Sequence, residues 1–145
     1  VHLILVGEGQ RRSDLEMLAD ELGIIEHIHL VGKQSNITPY LRVFNIAVNC
    51  SAQEGLSNAI IEYMAFGIPS IVSNAGGNTE LIEDGFNGIV FTLDDHNELA
   101  SKILYLLDDV KVQKVYSTRS MEKIVGSMSI SRMVNSFEQY YAMLV

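Results

Sequence analysis

Residues 46–77 read IAVNCSAQEGLSNAIIEYMAFGIPSIVSNAGG. Ile46-Ala47-Val48-Asn49 is a short apolar run with strand character, and 58–66 has the pattern of a helix ended by Gly67 and Pro69. Residues 70–72 are strand-like again. Strand, helix and strand in that order make a βαβ unit, whose two strands pair in parallel because the helix carries the chain back to the starting edge.

The same alternation extends in both directions. Upstream, 1–6 is an apolar strand closed by Gly7-Glu8-Gly9. A helix follows, with Ser13 and Glu16 in capping-box spacing. Its Leu15, Leu18, Ala19 and Leu22 fall at i, i+3, i+4 and i+7, and Gly23 ends it. Residues 28–31 form a second strand closed by Gly32, and Pro39 suits the first turn of a short helix through Val43. Downstream come a short helix at 79–83, an Asn87-Gly88 turn and a strand at 89–92. Asp95 and Glu98 form a second capping-box pair, opening a helix with Leu99, Ile103, Leu106 and Leu107 on one side. From Val110 onward only helices are expected, the last with Val134, Phe137, Tyr141 and Leu144 on one stripe. The expected class is therefore α/β: a Rossmann-like parallel sheet with helices on both faces. Such sheets bind ligands at the carboxyl ends of their strands, where the glycines and acids of this chain gather.

Length and composition narrow the function. The 145 residues suit one domain, 1–145, and 48% apolar with 19% charged residues is ordinary for a globular protein. No apolar run approaches the ~20 residues of a membrane span. A net charge of −8 argues against nucleic acid and against an anionic membrane surface as direct partners. The single cysteine, Cys50, excludes an internal disulfide, favours a cytoplasmic setting and reads as a small buried hydrophobe. His27 and His29 alternate as on one face of a strand, without the further ligands a metal site needs, so no metal and no cofactor are expected. The chain starts in mid-strand without a methionine, and the expectation is a domain truncated at its N-terminal side.

The segment Glu54–Glu62, EGLSNAIIE, carries the chemistry. It joins a strand to a helix, so it lies at the carboxyl edge of the sheet. The amides of Ser57, Asn58 and Ala59 are among the donors a helix start leaves unpaired, and that end attracts phosphate. A carboxylate about 4 Å from a phosphate would be repelled by about 4 kcal/mol at an effective dielectric near 20. Glu54 and Glu62 are therefore expected to meet neutral hydroxyls on either side of the phosphates. Hydroxyls, phosphates and hydroxyls in sequence describe a nucleotide sugar. Taken singly the features have plainer readings: Gly7-Glu8-Gly9 as a strand-to-helix turn, Gly76-Gly77 as a flexible connection, Glu62 as compensation of the helix dipole. Gly7-Glu8-Gly9 is not a dinucleotide fingerprint, since Arg12 replaces the third glycine.

Two glutamates with seven residues between them, across a loop–helix junction, resemble the motif of glycosyltransferase family 4, retaining enzymes of the two-domain GT-B fold. The resemblance continues in order through VGEG (6–9), IHLVG (28–32), NCSAQEG (49–55), EYMAFGIPSIVSNAGGNTELI (62–82) and EDGFNGIVF (83–91), and covers nearly the whole chain. It implies that the chain is the C-terminal, donor-binding half of such an enzyme, with the acceptor-binding domain absent. By position, Glu54 is similar to the glutamate that holds donor-sugar hydroxyls, the nearest this chain has to a catalytic residue. Gly55, Leu56 and Ser57 resemble the backbone beside the sugar and distal phosphate, with Asn58 and Ala59 near the diphosphate. Glu62 resembles the ribose-binding glutamate. Gly7 and Gly9 resemble glycines that let backbone approach the nucleotide, Val31, Gly32 and Lys33 the loop that meets the base, and Gly76 and Gly77 a second glycine pair near the cleft, supported by Glu80. The family's diphosphate-binding arginine and lysine belong to an earlier strand–helix unit and match nothing here; Arg11 and Arg12 do not take their place.

The implied activity is transfer of a hexose or N-acetylhexosamine from a nucleotide sugar, a UDP-sugar above all, to a glycan or lipid-linked acceptor. Its expected setting is bacterial surface polysaccharide or O-antigen synthesis in the cytoplasm. Membrane contact would be peripheral, through the full-length protein. Two alternatives stay open: a nucleotide-sugar epimerase of the same fold, and a nucleotide-binding module without catalysis.

Overall fold

A computed structural model describes residues 1–127 and 130–144. The chain divides into two compact units, Val1–Val43 and Phe44–Val145.

In the first unit, strands β1 (Leu3–Val6) and β2 (Ile28–Gly32) pair in parallel, with Leu3 opposite Ile28 and a register shift between Leu5 and Val6. Helix α1 (Arg12–Glu21) connects them, followed by a 3-10 turn at Ile25–His27. The expected capping box at Ser13 does not form. The helix starts earlier, with Arg11 as N-cap and no side-chain cap, and Glu16 is held by Arg12 at 3.0 Å instead of reaching back. Of the α1 stripe only Ala19 is buried, while Leu15, Leu18 and Leu22 stay exposed. A two-stranded sheet offers too little surface to cover them. Gly23 follows the helix with φ +66°, the left-handed ending that favours glycine. The short helix α2 (Thr38–Leu41) carries Pro39 in its first turn, as expected.

The second unit holds β3 (Ala47–Asn49), β4 (Ser70–Ser73) and β5 (Ile89–Phe91) in the order β3-β4-β5, all parallel. Alternation along the strands sorts their side chains into two cores. Val72 joins Ile60 and Met64 of helix α3 (Asn58–Ala65). Ile71, Ile89 and Phe91 instead pack with Leu106 of helix α5 (His96–Asp108), with Leu99 and Ile103 beside them. Successive strand residues point to opposite faces, so α3 covers one face and α5 the other. The central strand β4 is buried at every residue. Helix α4 (Asn78–Leu81) follows it, and α6 (Val110–Ser127) supplies Tyr116 to the second core.

One local expectation ends differently. Cys50 is exposed, because β3 stops one residue before it, although burial of its sulfur pushes the thiol above its ordinary value. On helix α7 (Ile130–Ala142) and just beyond it, Val134, Phe137, Tyr141 and Leu144 are exposed. The exposed rings of Tyr140 and Tyr141 pack edge-on against each other, with centroids 6.3 Å apart.

The Asp95–Glu98 cap does form: Asp95 Oδ1 accepts from the Glu98 N–H at 2.8 Å. Glu98 does not reciprocate. Its carboxylate takes Lys102 Nζ at 2.7 Å and the Thr92 N–H at 2.7 Å. The Lys102 contact first, and the Thr92 N–H next, hold this carboxyl down from 4.5 to about 2. Because the folded-state value is the lower one, the resulting stabilisation is present above 4.5 and is lost as pH falls from there toward 2. Carboxyl carbon chemical shifts should show Glu98 titrating near 2, and Lys102→Met should move that titration upward. A Glu98 that titrates in the ordinary carboxylate range would contradict the assignment.

Candidate functional site

A network of polar side chains lies at the carboxyl ends of β3 and β4. Asn49 closes β3 and is 8% exposed, and its Nδ2 donates to Ser57 Oγ at 3.3 Å. Ser57 is the N-cap of α3 and is buried, but its side chain caps no amide. Its carbonyl accepts the first helical bond, from the Ile61 N–H at 3.1 Å. The N–H groups of Asn58, Ala59 and Ile60 therefore have no intrahelical acceptor, and the N-cap hydroxyl is not aimed at them. The end of α3 is left open to an anion.

Glu54 lies half-buried in the loop before that helix, with Oε1 accepting from Ser51 Oγ at 2.9 Å. Its backbone is fixed from the other side by the loop after β4. The Gly77 N–H donates to the Glu54 carbonyl at 2.9 Å. A Cβ at Gly76 would lie 2.4 Å from the Glu54 carbonyl oxygen, and one at Gly77 1.8 Å from that of Gly55. The glycine pair thus serves a close backbone approach and is not a loose connection. Below it, Asn78 Nδ2 donates to Ser73 Oγ at 3.0 Å, while Asn78 Oδ1 is buried with no hydrogen-bond partner among the described residues.

Of the expected site residues, Glu54, Gly55, Gly76 and Gly77 meet through their backbones, and Ser57 connects to Glu54 by way of Asn49 and Ser51. Leu56 and Asn58 are exposed beside them, Ala59 is half-buried, and Glu62 lies half-buried on α3. The neighbouring Tyr63 hydroxyl is pushed up, by burial first and then by the Glu62 carboxylate and Cys50. Glu80 is exposed, and its carbonyl accepts from Lys123 Nζ at 3.0 Å. Asn49, Ser51, Ser73 and Asn78 were not among the residues the sequence pointed to. For Asn49, Ser51 and Ser73 the one signal is a small polar residue at or just past the end of an apolar strand, whereas Asn78 opens helix α4 and carries no such signal.

In the first unit, Gly7 N–H donates to the Gly32 carbonyl at 3.0 Å, and Gly32 has φ +71°. The Gly7–Gly9 loop lines a cavity of about 240 Å³ together with Leu5, Leu15, Leu30, Arg11 and Arg12. Val31 and Lys33 do not line it: Val31 is half-buried, its carbonyl accepting from Gln34 Nε2 at 2.7 Å, and Lys33 is exposed. Arg12 is engaged with Glu8, Glu16 and the Leu30 carbonyl, and Arg11 with Asp14, which accounts for both cations structurally. The His2 ring joins His27 and His29 at centroid distances of 5.0 and 5.2 Å, a neighbour the strand alternation alone does not reveal. Among the described residues no group of three His, Cys, Asp or Glu side chains could hold a metal ion.

A model of the family "Glycosyl transferases group 1" matches residues 1–109. The chain belongs to this family. It is 29% identical over 142 residues to the lipopolysaccharide core biosynthesis glycosyltransferase LpsE of Rhizobium meliloti, covering 98% of this chain and 42% of the relative. It is also 29% identical over 143 residues to UDP-Gal:alpha-D-GlcNAc-diphosphoundecaprenol alpha-1,3-galactosyltransferase of Escherichia coli, covering 98% and 37%. The chain thus spans about two fifths of the length of these group 1 relatives. The structure of Anabaena Alr3699/HepE in complex with UDP superposes with a TM-score of 0.91 at 21% identity, covering 99% of this chain and 41% of that one. This likeness establishes the fold, that of the C-terminal domain of GT-B glycosyltransferases.

Proposed function

We propose that this chain is the donor-binding part of a retaining glycosyltransferase that transfers a hexose or N-acetylhexosamine from a UDP-sugar to a glycan or lipid-linked acceptor. The observation that carries the reading is the uncapped start of α3 between Glu54 and Glu62. The first-turn amides receive the diphosphate, and the leaving group's charge is stabilised there as the sugar–oxygen bond breaks. Glu54 holds sugar hydroxyls and Glu62 ribose hydroxyls. Neither glutamate acts as a nucleophile; in this reading a diphosphate oxygen takes the acceptor proton on the face from which the leaving group departs. The acceptor is bound by a second domain, and the reaction runs in the cytoplasm as a step of surface polysaccharide synthesis. The UDP-Gal named for the Escherichia coli relative and the UDP bound to Alr3699/HepE support a UDP-sugar donor. No helix among the described residues is long and apolar enough to cross a membrane, which is compatible with an acceptor reached at the membrane surface.

The test is calorimetric binding of UDP to the full-length protein and to its Glu62→Ala variant, beside an assay for sugar transfer from UDP-galactose, UDP-glucose and UDP-N-acetylglucosamine. Hydrogen bonds from ribose hydroxyls to a carboxylate contribute about 1.5–3 kcal/mol each, so Glu62→Ala should weaken UDP at least roughly tenfold. Unchanged UDP affinity would remove the ribose role. Epimerised donor in place of a transferred sugar would move the protein to another reaction class.

A further inference from the structure

We propose that Ser51 is a positioning residue for Glu54, setting the carboxylate that the proposed function assigns to the donor sugar. The inference rests on that assignment and extends it to a residue with no expected ligand contact.

Ser51 is held at both backbone groups. Its N–H donates to Asn49 Oδ1 at 3.0 Å, and its carbonyl accepts from Ser73 Oγ at 2.7 Å. Both partners are themselves buried and tied in place: Asn49 to the α3 N-cap Ser57 at 3.3 Å, Ser73 to Asn78 at 3.0 Å. Buried polar atoms are held by their partners, so this network gives Ser51 one position relative to the ends of β3 and β4. Its hydroxyl takes no part in fixing the backbone and donates to Glu54 Oε1 at 2.9 Å.

For Glu54 the contact weighs more. Its backbone is set by the glycine pair, through the 2.9 Å bond from Gly77. Beyond that backbone, a glutamate side chain has three torsions to settle. The Ser51 hydroxyl is the one hydrogen-bond donor to this carboxylate among the described residues, and it leaves Oε2 without a partner. One oxygen is anchored and the other is presented. Without Ser51 the backbone of Glu54 stays where it is and the carboxylate loses its fixed direction, which costs orientation at the sugar and leaves nucleotide contacts elsewhere on α3 untouched.

The experiment uses the full-length protein and measures UDP release from UDP-galactose, UDP-glucose and UDP-N-acetylglucosamine, with UDP affinity and thermal midpoint read in parallel. Ser51→Ala should lower kcat/KM about tenfold, the loss expected from one hydrogen bond to a charged group, with UDP affinity within about twofold of wild type. Ser51→Thr, which keeps the hydroxyl, should restore most of the rate. A role in folding alone would move UDP affinity and midpoint together with the rate. If Ser51→Ala lowers the midpoint, Ser51→Cys, close to serine in size but a weaker donor, is read in its place, with the same fall in rate expected. Glu54→Ala separates the two ways of failing. A large loss in Glu54→Ala beside an unchanged rate in Ser51→Ala overturns the positioning role and leaves the sugar assignment standing. Unchanged rates in both overturn the sugar assignment as well.

Discussion

Gly77→Ala is expected to cost roughly 3 kcal/mol of stability or, if the loop yields first, to abolish the UDP binding that the proposed function assigns to this chain. The reason is contact, not backbone angle. Gly77 has φ −77° and ψ 5°, values any residue adopts, yet a Cβ there would stand 1.8 Å from the Gly55 carbonyl oxygen and 2.9 Å from its carbon. Neither atom belongs to a flexible side chain, so the backbone of the Glu54–Gly55 loop or of the Gly77 turn must shift. The shift strains the 2.9 Å hydrogen bond from the Gly77 N–H to the Glu54 carbonyl and carries Glu54 with it. Gly126 provides the contrast: a Cβ there meets nothing within 4 Å, and its place on α6 makes alanine the better helix former by up to about 1 kcal/mol. Urea unfolding and UDP titration of both variants in the full-length protein measure the difference. A Gly77→Ala protein as stable and as tightly binding as wild type would mean that the two loops do not meet as described.

That contact also shows where reading the sequence stops. The βαβ alternation was legible because buried strands and amphipathic helices differ in period, and β3, α3, β4 and β5 fall within a residue or two of their expected ends. Glycines and acids at the strand ends pointed to the sheet's carboxyl edge, since a parallel sheet puts those ends on one side. What the sequence could not convey was which loop touches which. Gly76-Gly77 also allowed the plainer reading of a flexible connection, and nothing in the sequence shows their close approach to Glu54 and Gly55, more than twenty positions away. The polar residues below the site were hidden for the same reason. Asn49, Ser73 and Asn78 look like ordinary loop-forming types, and only the fold buries them side by side. Capping went wrong at Ser13 and right at Asp95 on identical spacing, because α1 begins at Arg12 and takes Ser13 inside the helix, whereas α5 begins at His96 and leaves Asp95 as its N-cap. Cys50 failed by a single residue of strand length.

Glu54→Ala is expected to lower sugar transfer by the full-length protein about a hundredfold or more while leaving UDP affinity within roughly twofold. Under the proposed function its carboxylate contacts the sugar alone, and two hydrogen bonds from hydroxyls to a charged acceptor together contribute roughly 3–6 kcal/mol. The part of that energy realised only as the sugar flattens toward its transition state appears in kcat, and the part already present in the bound donor appears in KM. UDP lacks the sugar, so its binding reports on the α3 amides and Glu62 and should not register the loss. Glu54→Gln keeps one acceptor oxygen and the side-chain length, and should fall between wild type and alanine. The pair of measurements separates two geometries that share the same loop. Transfer lost with UDP retained places the carboxylate on the sugar side of the diphosphate. UDP lost in proportion to transfer would place it against the nucleotide, and the direction in which the donor lies across the start of α3 would have to be reversed.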